Sequence, residues 1–211
     1  MLREAKYRRP AIIVADGPSA RGFTPPHEIP IFAVNGAIEW LPRANYFFTL
    51  DPSQANLCRI QNPKMGTRYY LAVDEADMHL YSDYGAHLLK RDEHRGEEPI
   101  YGTPLWWLWR WRAVPGLSED PDVISSGNSA YGAIGLAYHM GYTDLLLVGV
   151  DGSPEPRISG GVPNNLSHLP ILIKSATEKI NIQSLSGIGG TRKTTVEEWV
   201  NEVTVYSELS W

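Results

Sequence analysis

Cysteine is almost missing from this chain: Cys58 stands alone among 211 residues. A single thiol forms no intramolecular disulfide and no cysteine-ligated zinc cluster, so the core has to hold the fold, and the chain suits a reducing compartment. Long apolar runs are missing too. Behind a basic start (Arg3, Lys6, Arg8, Arg9) only residues 11–15 are continuously apolar, too short for a signal peptide or a membrane span. A soluble, cytoplasmic protein is the expectation. Charge of neither sign is concentrated. With 19 Lys and Arg against 24 Asp and Glu the net charge is −5, and no basic stripe suggests a nucleic-acid partner. Also lacking are the Gly-x-Gly-x-x-Gly dinucleotide fingerprint, the lysine of a Walker loop and any internal repeat. His79, His87 and His94 are scattered without metal-ligand spacing, so no metal site is assigned.

The length suits one α/β domain over residues 1–211, enough chain to bury most of its apolar surface. Residues 123–153 carry the clearest pattern. Ser125, Ser126, Gly127 and Asn128 lead into small residues at helical spacing (Ala130, Ile134, Ala137, Tyr138), and Gly141 closes the helix. Residues 145–150 are then continuously apolar, as in a strand covered on both faces of a parallel sheet, and they end at Asp151-Gly152. Ligands of such sheets gather where strands end and helices begin. Ser126, Gly127, Asn128 and Asp151 could therefore share a crevice. The plain alternative is that the serines and Asn128 only cap the helix.

Earlier strands are expected at residues 11–15, 31–34, 45–50 and 68–73. The first three stop at Asp16, Asn35 and Asp51, and the first runs into the turn Asp16-Gly17-Pro18-Ser19. Asp and Asn at strand ends are ordinary turn formers, but with Asp151 they would make a polar rim along one sheet edge. Asp74, Glu75 and Asp77 read as an acidic turn before a solvated helix. From residue 78 to 102 the pattern dissolves, and a Trp-rich insertion is expected over about 78–122. Its Trp106, Trp107, Trp109 and Trp111 could stack on a base or sugar, but packing or self-association is favoured. Residues 152–167 have the length and composition of a lid. A helix (169–179), a strand (180–185), a short helix (195–200) and an edge strand (203–206) complete the expectation.

Taken together, Asp16-Gly17-Pro18-Ser19, Asn35, Asp51, Ser125-Ser126-Gly127 and Gly149-Val150-Asp151 resemble a group of Rossmann-like proteins. It includes the bacterial sialyltransferases that use CMP-sialic acid, domains like the 6-hydroxymethylpterin diphosphokinases, and uncharacterised phage and prophage proteins. The last resemblance is nearest and extends to Leu50-Asp51-Pro52, Ser126-Gly127-Asn128-Ser129 and Leu166-Ser167-His168-Leu169-Pro170. The resemblance implies a mostly parallel sheet with helices on both faces, and a transferase, glycosyltransferase-like, taking a nucleotide or nucleotide-sugar as substrate. It implies that Asp16, Gly17, Pro18, Ser19, Asn35 and Asp51 approach the phosphates and Ser126, Gly127 and Asn128 the base or ribose. Asp151 would mark the pocket edge and count with His168 as catalytic, and His168 would be the general base, suited by an unperturbed pKa of about 6.5. Two departures stand out: Asp16 replaces a Gly or Asn, and Gly152-Ser153-Pro154 replaces aromatic residues, which disfavours sialic acid. The alternatives are phosphoryl transfer with Mg²⁺ on Asp16 and Asp51, and a nucleotide-binding scaffold associating through its tryptophans.

Overall fold

Strands apolar at nearly every position need cover on both sides, and a parallel sheet sandwiched by helices supplies it. The structure, a computed structural model that describes residues 8–94 and 96–208, has that architecture. In chain order the elements are β1 (Pro10–Val14), β2 (Ile31–Val34), α1 (Ala37–Trp40), β3 (Tyr46–Thr49), α2 (Gln54–Gln61), β4 (Arg68–Val73), α3 (Met78–Tyr81) and β5 (His87–Asp92). Then come α4 (Pro104–Arg110), β6 (Val123–Ser125), α5 (Ser129–His139), β7 (Asp144–Val148), α6 (Leu169–Ala176), β8 (Asn181–Ser184), β9 (Arg192–Lys193) and α7 (Val196–Glu208). Nine strands form one sheet in the order β6-β5-β4-β3-β2-β1-β7-β8-β9, with parallel pairing throughout.

The period of two along each strand sorts the core into layers. Ile13, Phe32, Phe48 and Leu147 face α5 and α6, whose Tyr131, Ile134, Leu172 and Ile173 are buried against them. Ile12, Val14, Ile31, Phe47 and Leu146 face the other way, onto Ile38 of α1, Leu57 and Ile60 of α2, and Trp199 and Val203 of α7. Tyr131 also ties down the connection before β6, its hydroxyl lying 2.7 Å from the Gly116 carbonyl and 3.1 Å from that of Val114. Burial pushes this phenol up to about 12, which keeps it a donor.

Two expectations need correction, and one strand was not expected at all. The stretch 78–122 is not merely an insertion, because β5 is an inner strand between β4 and β6. Its sequence, HLLKRD, gave no alternation to read: it is only half-buried and its far end carries charge. The strand β6 ahead of α5 went unread as well, being three residues long. Residues 203–206, expected as an edge strand, are later turns of α7. Two signals outweigh the alternation there. Trp199 and Val203 sit one helical turn apart and are both buried. Thr195 and Glu198 also form a reciprocal cap, the Glu198 N–H donating to Thr195 Oγ1 and the Thr195 N–H to the Glu198 carboxylate, each at 3.1 Å. Among the described residues no helix is long and apolar enough to cross a membrane.

Strand order places the switch in chain direction between β1 and β7: β2 to β6 extend one way from β1, and β7 to β9 the other. Crossovers leave on opposite faces there, which opens a crevice at the carboxyl ends of the two strands. Gly149, just past β7, makes the closest approach. Its φ is 69°, and a Cβ on it would stand 2.1 Å from the Ala15 carbonyl oxygen. We predict that Gly149→Ala destabilises the fold by about 3 kcal/mol or more, since backbone must move as well as adopt a disfavoured φ. Gly66→Ala, also at positive φ but with nothing near, should cost only about 1 kcal/mol. Thermal melting of the two variants checks this, and equal losses would contradict it.

Candidate functional site

The crevice is a cleft of about 500 Å³ over the ends of β1, β2, β3 and β7, within the range of small-molecule sites. Of the eleven residues singled out in the sequence, ten line it: Asp16, Gly17, Pro18, Asn35, Asp51, Ser126, Gly127, Asn128, Asp151 and His168. Ser19 does not. It lies behind the wall, in contact with Asp151.

That contact locks the two central strand ends together. The Ser19 N–H donates to Asp151 Oδ2 at 2.8 Å and its hydroxyl donates to Asp151 Oδ1, while the Gly149 N–H donates to the same hydroxyl at 2.9 Å. Gly17 completes the junction by donating its N–H to the Gly149 carbonyl at 2.8 Å. A Cβ on Gly17 would lie 2.4 Å from that carbonyl oxygen, so this glycine is required by contact between β1 and β7. Residues 17–19, expected to approach the phosphates, therefore offer a ligand no N–H donor. Two are spent inside the fold, and Pro18 has none.

Asp16 has a comparable internal role. Trp40 Nε1 donates to its Oδ1 and Ser159 Oγ to its Oδ2, each at 2.7 Å, and its carbonyl accepts from the Ile158 N–H at 2.8 Å. It thus fastens the 152–166 segment to the β1 turn. Asp51 is likewise engaged, its Oδ1 accepting from the Ser53 N–H at 3.1 Å. Asn56, only 2 % exposed, gathers this side of the cleft. Its amide donates to Asn35 Oδ1 at 3.3 Å, Thr49 Oγ1 at 3.1 Å and the Asp51 carbonyl at 2.9 Å. Both carboxylate oxygens of Asp16 and Oδ1 of Asp51 thus already accept a hydrogen bond from the fold. Among the described residues no group of three or more His, Cys, Asp or Glu could hold a metal ion.

At the start of α5 the plain alternative is present: Asn128 Oδ1 accepts from the Ala130 N–H at 2.8 Å and caps the helix. Ser129 Oγ accepts from the Leu50 N–H at 3.1 Å, tying the helix to the end of β3. The N–H groups of Gly127, Asn128 and Ser129 meet no acceptor among the described residues. They are open to an anion at a helix N-terminus.

His168 sits at the entry to α6, 1 % exposed. Its Nε2 lies 3.2 Å from the Gly127 carbonyl, which can only accept, so the proton is on Nε2. Nδ1 then carries a bare lone pair and has no partner among the described residues. Burial lowers its pKa below the usual histidine value, and the Gly127 carbonyl opposes that more weakly. At neutral pH the ring is uncharged and oriented, with one basic nitrogen uncommitted.

Among the wall residues that the sequence reading did not single out are Arg91, Arg157 and, as a cleft residue, Trp111. Arg91 is satisfied by Asp74 at 2.7 Å and Glu93 at 2.8 Å. Trp111 closes the cleft beside Trp107, the rings stacked at 6.4 Å, whereas Trp106 and Trp109 donate instead to Glu98 and the Gly96 carbonyl. Only a position outside periodic structure, with no neighbouring motif, marked Arg157 in the sequence.

An open parallel α/β sheet with a cleft at its central switch point is a Rossmann-like architecture. No family model matches the sequence, and no curated protein does. Among solved structures the chain is similar to the sialyltransferase CstII from Campylobacter jejuni in complex with cytidine-5'-monophosphate. Identity is 12% over 88% of this chain and 84% of that chain, with a TM-score of 0.49. It is similar also to CstII with CMP-3FNeuAc (17% identity, 87% and 84% covered, TM-score 0.46). A third is CST-II with a trisaccharide acceptor and CMP (16% identity, 87% and 85% covered, TM-score 0.45). At such identities and scores neither substrate nor chemistry transfers.

The lowered pKa gives a pH prediction. Protonation is easier in the unfolded chain than in the fold, so the stability linked to His168 is present above about pH 6.5 and is lost as the pH falls toward the folded value. The urea midpoint of the wild type should drop between pH 7.5 and 5 by more than that of His168→Gln, which keeps an amide donor for Gly127 and does not titrate. Parallel loss in both proteins would contradict this.

Proposed function

We propose that the chain is a nucleotide-dependent transferase of glycosyltransferase-like chemistry, with the nucleotide lying across the carboxyl ends of β1, β2, β3 and β7. The observation that carries the reading is the convergence of nine polar or turn residues, from five separate stretches of the sequence, on one cleft whose lining also includes the neutral, oriented imidazole of His168. The base or ribose lies against Ser126, Gly127 and Asn128. The phosphate lies near the open N–H groups at the start of α5. Asn35 and Asp51 shape the opposite side, and Asp151 acts as a positioning residue through Ser19.

In the reaction, Nδ1 of His168 takes the proton of an acceptor hydroxyl. The acceptor oxygen bonds to the anomeric carbon of the donor sugar, and the bond from that carbon to the phosphate oxygen breaks with its electron pair leaving on the nucleotide. A base with a depressed pKa is in its working, unprotonated form at pH 7. Nδ1 lies beneath the surface, so the acceptor reaches it as residues 163–166, which the bonds to Asp16 do not hold, move aside. The engagement of Asp16 by Trp40 and Ser159 favours this reading over Mg²⁺-dependent phosphoryl transfer.

Two measurements test it. Thermal-shift screening against CMP, UDP, GDP, ATP and their sugars should give a shift with at least one nucleotide, independent of Mg²⁺. With the ligand so found, His168→Gln should lower transfer or donor hydrolysis by about 10²-fold or more while nucleotide affinity stays within about threefold. Equal loss of both would leave His168 a packing residue, and absence of any shift would favour a scaffold.

A further inference from the structure

The cleft contains more carboxylates than cations. Asp16, Asp51, Asp151 and Glu155 line it, against Arg91 and Arg157. Arg91 is already neutralised by Asp74 and Glu93. The N–H groups of Gly17 and Ser19 are consumed by Gly149 and Asp151. An anionic ligand in this cleft therefore needs a cation that the rest of the wall does not supply.

We propose that Arg157 is that cation: the residue of the 152–166 segment that contacts the phosphate of a nucleoside mono- or diphosphate. The inference rests on the nucleotide reading above and deepens it. Arg157 is exposed and in the cleft wall, and its guanidinium pairs with no carboxylate among the described residues. Its backbone is nevertheless held. The Arg157 N–H donates to the Gly161 carbonyl at 3.1 Å, and the next two residues are fastened to Asp16 through the Ile158 N–H and the Ser159 hydroxyl. A fixed base with an uncommitted fork of donors is suited to a phosphate, which a guanidinium binds through two parallel N–H bonds. The N–H groups of Gly127, Asn128 and Ser129, at the head of an eleven-residue helix, offer the second set of donors. Asp16, usually a liability beside a phosphate, becomes useful here as the anchor that sets where Arg157 can reach.

The test compares nucleotides with the nucleosides they contain, so that the phosphate is isolated. The full chain, Arg157→Gln and Arg157→Lys are titrated with CMP, UMP, GMP and AMP, and with cytidine, uridine, guanosine and adenosine. For the base that binds, the wild type should prefer the nucleotide over its nucleoside by about tenfold or more. Arg157→Gln should erase that preference without changing nucleoside affinity, and Arg157→Lys should keep part of it. If Arg157→Gln retains the preference, or the wild type binds nucleotide and nucleoside equally, the assignment of Arg157 is overturned while a nucleoside site survives. If the wild type binds none of the eight, the nucleotide reading itself falls and Arg157 with it.

Discussion

The carboxylate of Asp151 gripping Ser19 is the constraint on which the site depends. Two parallel strands end side by side at the switch in sheet order, and without a link their following turns would be free to splay. Asp151 takes both the N–H and the hydroxyl of Ser19, and the Gly149 N–H closes the ring. Charge-assisted bonds of this kind are among the stronger ones in proteins. Small residues are then obligatory where the turns touch, which accounts for Gly17 and Gly149 without reference to a ligand. The cleft is preformed because its floor is locked.

A second consequence concerns where charge resides. The acids that face the cleft are largely occupied: Asp151 by Ser19, Asp16 by Trp40 and Ser159, Asp51 by Ser53 and Asn56. Their role is to set geometry. Among the described residues, the groups of the cleft without a partner include the N–H groups at the start of α5, the lone pair of His168 Nδ1, the guanidinium of Arg157 and the carboxylate of Glu155. A proton acceptor, a set of neutral donors and a guanidinium form a combination suited to transfer from a phosphate leaving group.

Much of this architecture could be read from the sequence because it follows from local rules. Continuous apolar runs marked β1, β2, β3, β4 and β7, the Ser-Gly-Asn start marked α5, and the polar residues after the strands marked the rim. What escaped was set by neighbours distant in sequence. The half-buried HLLKRD of β5 acquires strand geometry only between β4 and β6. The helical fate of residues 203–206 depends on the docking of Trp199 against β7 and its neighbours. At the site, the spacing of Gly17, Ser19 and Asp151 was legible, but not that the three hold one another. A glycine needed for a ligand and a glycine needed for a neighbouring strand look alike in sequence. Arg157 and Asn56 had no pattern of their own to reveal them: one lies in an irregular segment, and the other is a polar side chain on the buried face of α2, beside Leu57 and Ile60.

The most direct test of the claim that an anion-bearing nucleotide occupies this cleft is hydrogen exchange of the full chain with and without a nucleotide identified by screening. Slower exchange confined to residues 126–130 and 152–166, with the interior of the sheet unchanged, is the predicted result. Protection elsewhere on the molecule, or none at saturating nucleotide, would contradict it.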